Sequence, residues 1–579
     1  MMFRMKTVRH IVKLLACLCA VIFPSIVNAD QRDIGLIPDF ALTEVNGEFK
    51  QGSHVKLYIP NLPYVAISHA INAALLRPAN NEQGWQYDLA THHSNQDDKV
   101  WEFELRKNVT FHDGSAFNAD SVIENVKAFK KAPFTFSKFA TVLERVEKLG
   151  EYRVRFHMNE AYGAFPYDAI WLQFYSTPYL KKFGWNGKPT CPNLAEPGLY
   201  GLGPYILTSG YVEGDRRSAK VELKANKNYW GEYKPKVEQI TINLDIEPQQ
   251  AFSNITQQEG AIDVMPIAFS NQLAAVRSKY AKLASTPSKN NYAMHFNLVS
   301  GHQAIKDKRI RRIINQAIDQ DYLLNLSMLG EGVSSPTMVS PNFYRLNEAI
   351  ESLDTYFKNN DRQSDNLDDL REEVKAYQLS QGLDPDKPLT FSVLAQKSFL
   401  FLIKDIQYFL KQVNIELDAT ILPTEEEIFE QLHITWQGKN SINWDLLLWG
   451  NTDWYKHPWS AFFVYQPAYA WSTLTEDNYL VSLIDQLFHS NTESKEYVSA
   501  TSAIIRHVHE NDLMVFLPTP NNVFAINKEV YFTPGSSAFV YLRDIDVTEH
   551  HWSVRGDRPL PQNRTRAIAI NKNKLDKVQ

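Results

Sequence analysis

The chain has 579 residues, with 66 acidic and 60 basic side chains and a formal net charge of −6. This length implies more than one domain and enough apolar material for a sizeable core. Because nucleic acids attract basic surfaces, an acidic chain is a poor candidate for binding them, and we expect no nucleic-acid partner.

The first 29 residues have the pattern of a secretory signal peptide. Four basic residues precede the apolar run 14–23, and Val27-Asn28-Ala29 resembles a cleavage site. The run is too short to span a bilayer, and no later segment is apolar enough to do so. A lipoprotein-like box at 14–17 would leave almost no apolar run before it, which disfavours a lipid anchor. Cleavage would remove four basic and no acidic residues, taking the net charge from −6 to −10. We therefore expect an exported, periplasmic protein.

Cysteine and histidine usage gives little support for metal or redox chemistry. Only Cys191 would remain after cleavage, so no internal disulfide can form. The pairs His92-His93, His507-Val508-His509 and His550-His551 lack the four-ligand spacing that zinc prefers. No nucleophile elbow, Walker loop, zinc-protease motif or dinucleotide fingerprint occurs. The sequence therefore predicts no cofactor, no metal and no catalytic site.

Hydrophobic periodicity predicts alternating strands and helices along the chain. A Pro-bracketed loop from Asn61 carries Tyr64, a candidate ligand-binding residue. Strands are predicted at 101–105, 152–158 and 292–298, with helices starting after Asn118 and covering 310–318. Further on, a strand at 389–393, a helix at 402–413 and a strand at 415–421 form a βαβ unit. Its two strands are expected to be parallel.

Six of the twelve tryptophans lie between Trp436 and Trp471. The apolar run Trp444–Trp449 breaks at Gly450 into a polar, aromatic loop that carries Asp453. A buried strand delivers a loop in this way to a cleft at its carboxyl end, where open α/β sheets bind ligands. Aromatic rings offer a large rigid contact area and a lone acid could bind a cationic group, although tryptophans also pack in cores. We take Trp449, Asp453 and Trp454 as candidate ligand-binding residues, and Trp436, Trp444 and Trp471 as packing residues.

The stretch Tyr87–Val126 resembles the signature of the family 5 extracellular solute-binding proteins, the peptide- and nickel-type receptors of ABC importers. The matching positions are Leu89-Ala90, Asp97, Trp101, Phe103, Leu105-Arg106, Val109, Phe111-His112-Asp113-Gly114, Phe117, Ala119-Asp120 and Val122. Similar blocks follow at 201–230, 261–265 and 291–319. They depart from the family pattern at Leu202, where Thr is usual, and at Ala304, where Pro is usual.

The resemblance implies an α/β architecture, the two-lobed periplasmic binding protein type II fold with an extra inserted α+β domain. We expect lobe I to comprise residues 30–64, 200–290 and 519–552, the inserted domain residues 65–199, and lobe II residues 291–518. Residues 553–579 carry many basic side chains without periodicity and are expected to form a disordered tail.

The resemblance also implies the function. The protein would bind a small solute, an oligopeptide above all, between closing lobes and deliver it as a monomer to an inner-membrane ABC permease. In peptide-binding members an Asp in the loop after the tryptophan-bearing strand pairs with the peptide's α-amino group. That role falls on Asp453, although Lys456-His457 replace the second acidic position of the family's loop. The alternatives left open are an oligosaccharide receptor of the same fold, a nickel chelate or haem as ligand, and an exported hydrolase.

Overall fold

We describe a computed structural model of the chain. It describes residues 49–560 apart from 61–62, 80, 82, 132–138, 186–196, 214–215, 233, 361–365, 424–426, 429–430, 433–443, 452–461, 466–471, 474–476 and 537–539.

The described strands are numbered in chain order. The first seven are β1 (Lys50–Tyr58), β2 (Leu76–Pro78), β3 (Trp85–Tyr87), β4 (Ala90–Gln96), β5 (Val100–Leu105), β6 (Leu143–Gly150) and β7 (Arg153–Met158). The next seven are β8 (Tyr205–Ser209), β9 (Val212–Glu213), β10 (Arg216–Arg217), β11 (Lys220–Ala225), β12 (Val237–Asn243), β13 (Val264–Pro266) and β14 (Ala281–Pro287). The remainder are β15 (Asn291–Phe296), β16 (Gly332–Val333), β17 (Leu389–Gln396), β18 (Ile415–Leu422), β19 (Leu446–Asn451), β20 (Met514–Phe516), β21 (Thr519–Asn527), β22 (Val530–Tyr531) and β23 (Asp546–Val547).

The described α-helices connect and cover these strands. They are Pro63–Ile71, Ala119–Lys131, Phe139–Val142, Phe165–Asp168, Thr177–Phe183, Pro248–Gln257, Gln272–Arg277, Gln303–Lys306, Lys308–Ala317, Gln320–Tyr322, Leu346–Glu351, Asp354–Asn359, Leu367–Ser380, Leu400–Lys411, Asn478–His489, Lys495–Glu510 and Trp552–Arg555.

An eight-stranded sheet forms the first half of the molecule, which we call lobe I. Its strand order is β14-β21-β13-β1-β12-β11-β8, with β16 also pairing with β21. Strand β1 is parallel to both β12 and β13, whereas β21 is antiparallel to its neighbours. Lobe I therefore combines strands from four distant parts of the chain.

A five-stranded sheet forms the second half, which we call lobe II. Its order is β18-β17-β19-β15-β20, so β19, the strand that follows Trp444, is central. Strands β17 and β18 are parallel and flank the helix Leu400–Lys411, which confirms the predicted βαβ unit. Neighbouring side chains of β15 point to opposite faces, since Ala293 and Met294 belong to different core clusters.

The third sheet, β4-β5-β7-β6, is antiparallel and defines what we call the extra domain. Trp101, Phe103 and Leu105 alternate inward along β5, as their spacing predicts. The helix Ala119–Lys131 packs Val122 and Phe129 into the same cluster. Asn118 begins this helix, because its side-chain oxygen accepts a hydrogen bond from the Asp120 N–H (2.9 Å).

Apart from the short strand β16, which joins the lobe I sheet, the chain crosses between lobes I and II at residues 288–290 and at residues 517–518. The crossings are tied together: the Ser288 hydroxyl donates to the Pro520 carbonyl (2.6 Å), and the Thr519 hydroxyl donates to Asn291 Oδ1 (2.8 Å). These two segments connect the lobes of the α/β fold, and we refer to them as the hinge.

The helix Trp552–Arg555, the last one in the described part of the chain, is anchored on lobe I. The Trp552 indole N–H donates to Asp263 (2.9 Å), and Ser553 Oγ accepts from the His54 N–H (2.9 Å). Residues 553–555 were expected to begin a disordered tail. They instead belong to this helix, which is held by side-chain contacts that sequence periodicity does not reveal. Residues 561–579 and the proposed signal peptide lie outside the described residues.

Candidate functional site

The carboxyl ends of the parallel strands of both lobes face the crossings. In lobe I, β13 runs parallel to β1, and its last residue, Pro266, pairs with Phe524 shortly after the second crossing. In lobe II, the last residue of β19, Asn451, pairs with Asn291, immediately after the first crossing. Open α/β sheets bind ligands outside the carboxyl ends of their strands. The candidate site is therefore the cleft between these two edges.

Trp449 lies on β19, two residues before that cleft edge, and only 5% of it is exposed. It packs with Trp444, Leu394 and Leu447 on one face of the lobe II sheet, in a cluster separate from the larger core on the opposite face. Trp444 is likewise buried, as the sequence predicts. Trp449 is thus packed like a core residue, and its strand leads to the cleft.

Tyr64 lies at the lobe I edge of the cleft, in the first turn of the helix Pro63–Ile71 that follows β1. The sequence predicted a loop here. The helix instead starts at Pro63, because the fixed φ of proline suits the first helical position. Tyr64 is 7% exposed and packs into the lobe I core.

Asp453 and Trp454 lie outside the described residues, in the segment 452–461. Their loop starts from Asn451, whose backbone pairs with Asn291 beside the first crossing. Their candidate roles remain predictions from sequence.

Aromatic residues that the sequence did not single out line the lobe II edge of the cleft. The Tyr292 and Phe399 rings meet edge to face at 5.1 Å, and burial raises the pKa of Tyr292 well above its ordinary value. Gly450 fits beside them, because a Cβ there would stand 3.2 Å from Phe399 Cζ. Tyr292 was visible in the sequence only as part of an alternating strand.

One aromatic contact crosses from lobe I to lobe II. Phe269, in the turn after β13, meets Phe401, at the start of the helix after β17, with ring centroids 5.8 Å apart. Both rings join a buried apolar cluster that extends across the two lobes. The lobes are therefore in contact on this side of the cleft.

A buried carboxylate also lies beside the crossings. Glu331, just before β16, is 5% exposed and accepts hydrogen bonds from Ser285 Oγ of β14 and from Asn521 Nδ2 (2.9 Å) of β21. It links the segment that enters β16 to the strands β14 and β21 beside the crossings.

The sequence profile of the bacterial extracellular solute-binding proteins, family 5 Middle, matches residues 84–478, more than half of the chain. The chain belongs to this family.

Several family 5 proteins are similar to this chain. The dipeptide-binding protein of Pseudomonas aeruginosa is 26% identical over 278 residues, which cover 44% of this chain and 50% of that protein. The oligopeptide-binding protein AppA of Bacillus subtilis is 22% identical over 447 residues, 74% of this chain and 76% of AppA. The chain spans about half the length of the first of these relatives.

A solved structure shares the fold. The dipeptide-binding protein of Pseudoalteromonas sp. SM9913, in complex with Met-Leu, superposes with a TM-score of 0.70 at 16% identity, covering 86% of this chain and all of that one. The two-lobed architecture expected from the family resemblance is thus confirmed.

Several described histidines of this family 5 chain have structural partners. His112 bonds through Nε2 to the Gly203 carbonyl (2.9 Å), and Asp113 instead accepts from Ser115, so the two form no dyad. Burial lowers the pKa of His112, although its hydrogen bond to Gly203 opposes this. His507 Nε2 lies 2.7 Å from the carboxylate oxygen Oδ2 of Asp477. Within the described ranges, no group of three or more His, Cys, Asp or Glu side chains could hold a metal ion.

The described helices differ from membrane spans in length and hydropathy. None of them combines the length and the apolar character that crossing a bilayer requires.

Proposed function

We propose that this family 5 protein is a periplasmic receptor that captures a peptide-like solute between its lobes and delivers it to an ABC importer. The proposal rests on one observation: two sheet edges face each other across the hinge. The carboxyl ends of β1 and β13 lie on one side, and those of β17 and β19 lie on the other. Family 5 relatives named for dipeptides and oligopeptides support a peptide as the solute.

The hinge explains how capture would work. The two crossings are short and hydrogen-bonded to each other through Ser288 and Thr519, which favours rotation of the lobes as units. Closure expels water from the cleft. Polar contacts to the solute then act in a medium of lower dielectric constant and become stronger. Asp453 would supply the partner for the α-ammonium group, since its loop leaves β19 at the hinge.

The proposed receptor would be exported and would act with a membrane permease. The first 29 residues would direct the chain to the periplasm, where it would act as a monomer that presents its closed form to an inner-membrane permease. Its role is to bind rather than to catalyse.

The buried tryptophans weaken the oligosaccharide alternative. Sugars stack on exposed aromatic faces, but Trp444 and Trp449 are 6% and 5% exposed and lie inside a core cluster. A peptide needs fewer such platforms, because its termini and amides are held by charges and hydrogen bonds.

A thermal-shift panel tests the proposal. Purified protein without its signal segment is mixed with di- to pentapeptides and, separately, with short oligosaccharides. A ligand at 100 times its dissociation constant adds about 2.7 kcal/mol to stability, a readily measured rise in melting temperature. Stabilisation by peptides alone supports the proposal. Stabilisation by oligosaccharides alone, or turnover of a ligand, would reject it.

A further inference from the structure

A small polar cavity lies where the extra domain joins lobe I. Three segments line it: the connection that follows the helix Pro63–Ile71, the residue Asp88 shortly before β4, and the segment 541–544. Leu76 of the first segment packs into the extra-domain core, whereas Leu542 packs into the lobe I core. The described residues that line the cavity include none from lobe II. The cavity is therefore separate from the candidate solute site between the lobes.

Asn72, in the lining of this cavity, is a buried amide that lacks a partner. Its exposed fraction is 3%, and neither its side-chain nitrogen nor its side-chain oxygen has a hydrogen-bond partner among the described residues. Buried polar groups are nearly always satisfied, by protein, by ordered water or by a bound ion. The amide nitrogen is a donor, so it requires an acceptor inside the cavity or next to it.

Two mostly buried arginines line the same cavity. Arg77 comes from the connection after the first helix, and Arg543 comes from the segment 541–544. Burial, and after it the charge of Arg543, lowers the pKa of Arg77 to about 10. The two guanidinium groups are thus close enough to repel each other, and an anion between them would relieve that repulsion.

The carboxylates of the cavity offset this positive charge only in part. Asp88 is buried, and burial raises its pKa. Three nearby charges oppose that rise: those of Arg543, Arg77 and Arg106. The second carboxylate, Asp544, has a side chain that is 54% exposed and lies 3.9 Å from Arg543 Nε, so water screens much of its charge. Three guanidinium groups therefore surround a single buried carboxylate.

The size of the cavity limits which anion it could hold. Its free space admits about one or two water-sized particles. Phosphate and sulfate are larger than this space, whereas a chloride ion is close to a water molecule in size. We propose that the cavity is an anion site that holds chloride between Arg77, Arg543 and the Asn72 amide, and so fixes the extra domain to lobe I.

The stability of the protein should consequently depend on chloride. Purified protein free of solute is unfolded by heat in increasing sodium chloride, with sodium gluconate, a larger anion than the cavity admits, holding the ionic strength constant. A ligand that binds only the folded state raises stability with the logarithm of its concentration above the dissociation constant. We expect a rise in melting temperature of about 1 °C or more for each tenfold increase in chloride. A melting temperature that is independent of chloride overturns the proposal.

Substitutions in the lining test which residues hold the ion. Arg543→Gln and Asn72→Leu should each remove most of the chloride dependence. In chloride-free buffer Asn72→Leu should be at least as stable as the parent, because leucine has the same branching and buries no amide without a partner. Arg145→Gln is the control, since Arg145 is an exposed arginine of the same extra domain that pairs with Glu144, and it should keep the full dependence. Full chloride dependence in both cavity variants overturns the proposal.

Diffraction locates the ion directly. Crystals grown with bromide in place of chloride, and measured at the bromine absorption edge, should show an anomalous peak between Arg77 and Arg543. The same measurement on Asn72→Leu should show a much weaker peak. A water molecule or no density at this position overturns the proposal. A bromide peak without any effect of chloride on the melting temperature marks an adventitious ion only, and overturns it as well.

Discussion

Asn291 and Asn451 are backbone partners in the lobe II sheet. Asn291 is the first residue after the first crossing, and Asn451 is the last residue of the central strand β19. Their pairing places the start of the loop that carries Asp453 beside the hinge. In the proposed function, a rotation of the lobes would move this loop relative to lobe I.

Asp453→Asn should weaken peptide binding by at least about tenfold, because a buried ammonium that loses its charged partner costs several kcal/mol. Titration calorimetry with a tripeptide measures the change. Asp386→Asn, at an exposed position elsewhere in lobe II, is the control and should bind like the parent. An unchanged affinity for Asp453→Asn would reject the role.

Trp449→Ala should lower the free energy of unfolding by about 3–5 kcal/mol, the usual range for truncating a buried Trp. The reason is the cavity left beside Trp444 and Leu394. Urea unfolding of the unliganded protein measures this loss, and the half-buried Trp85→Ala should lose less. A stability equal to that of the parent would show that Trp449 is not a core residue.

Sequence periodicity predicted the strands and helices of the fold, but it did not predict which of them contact each other across the cleft. The alternation at Trp101 and Phe103, the βαβ unit from Leu389 and the strand after Trp444 are all present, because burial of one face dictates such patterns. Contacts across the cleft are different. Phe401 was not singled out in the sequence, since nothing local records that it will meet Phe269 of the other lobe.

Trp552→Phe should reduce the free energy of unfolding by about 1.5–3 kcal/mol, the range for a hydrogen bond to a charged group. The phenyl ring preserves an aromatic surface beneath Lys56, whose ammonium lies 4.8 Å from the indole, but it cannot donate to Asp263. Asp263 is fully buried and also accepts from Asn527 Nδ2. An unchanged urea midpoint would contradict an anchoring role for the helix Trp552–Arg555.

His112 should make stability depend on pH. Burial lowers its pKa below the ordinary value of 6.5, so the folded protein resists protonation that the unfolded chain accepts. The stability that depends on neutral His112 is thus fully present above about pH 6.5 and is lost as the pH falls below it.

Urea unfolding between pH 7 and pH 5 measures this dependence. His112→Gln should flatten the decline in stability, whereas His550→Gln, at a partly exposed position on lobe I, should leave its slope unchanged. A decline of equal steepness in His112→Gln would show that other groups cause it.

The most direct test of the receptor function is mass spectrometry of what accompanies the protein from the periplasm. Protein exported with its own first 29 residues is purified without denaturation, and its ligands are released and identified. The account predicts a mixture of short peptides in near-stoichiometric amounts, reduced in the Asp453→Asn variant. Recovery of an oligosaccharide, a metal chelate or haem in place of peptides would contradict it.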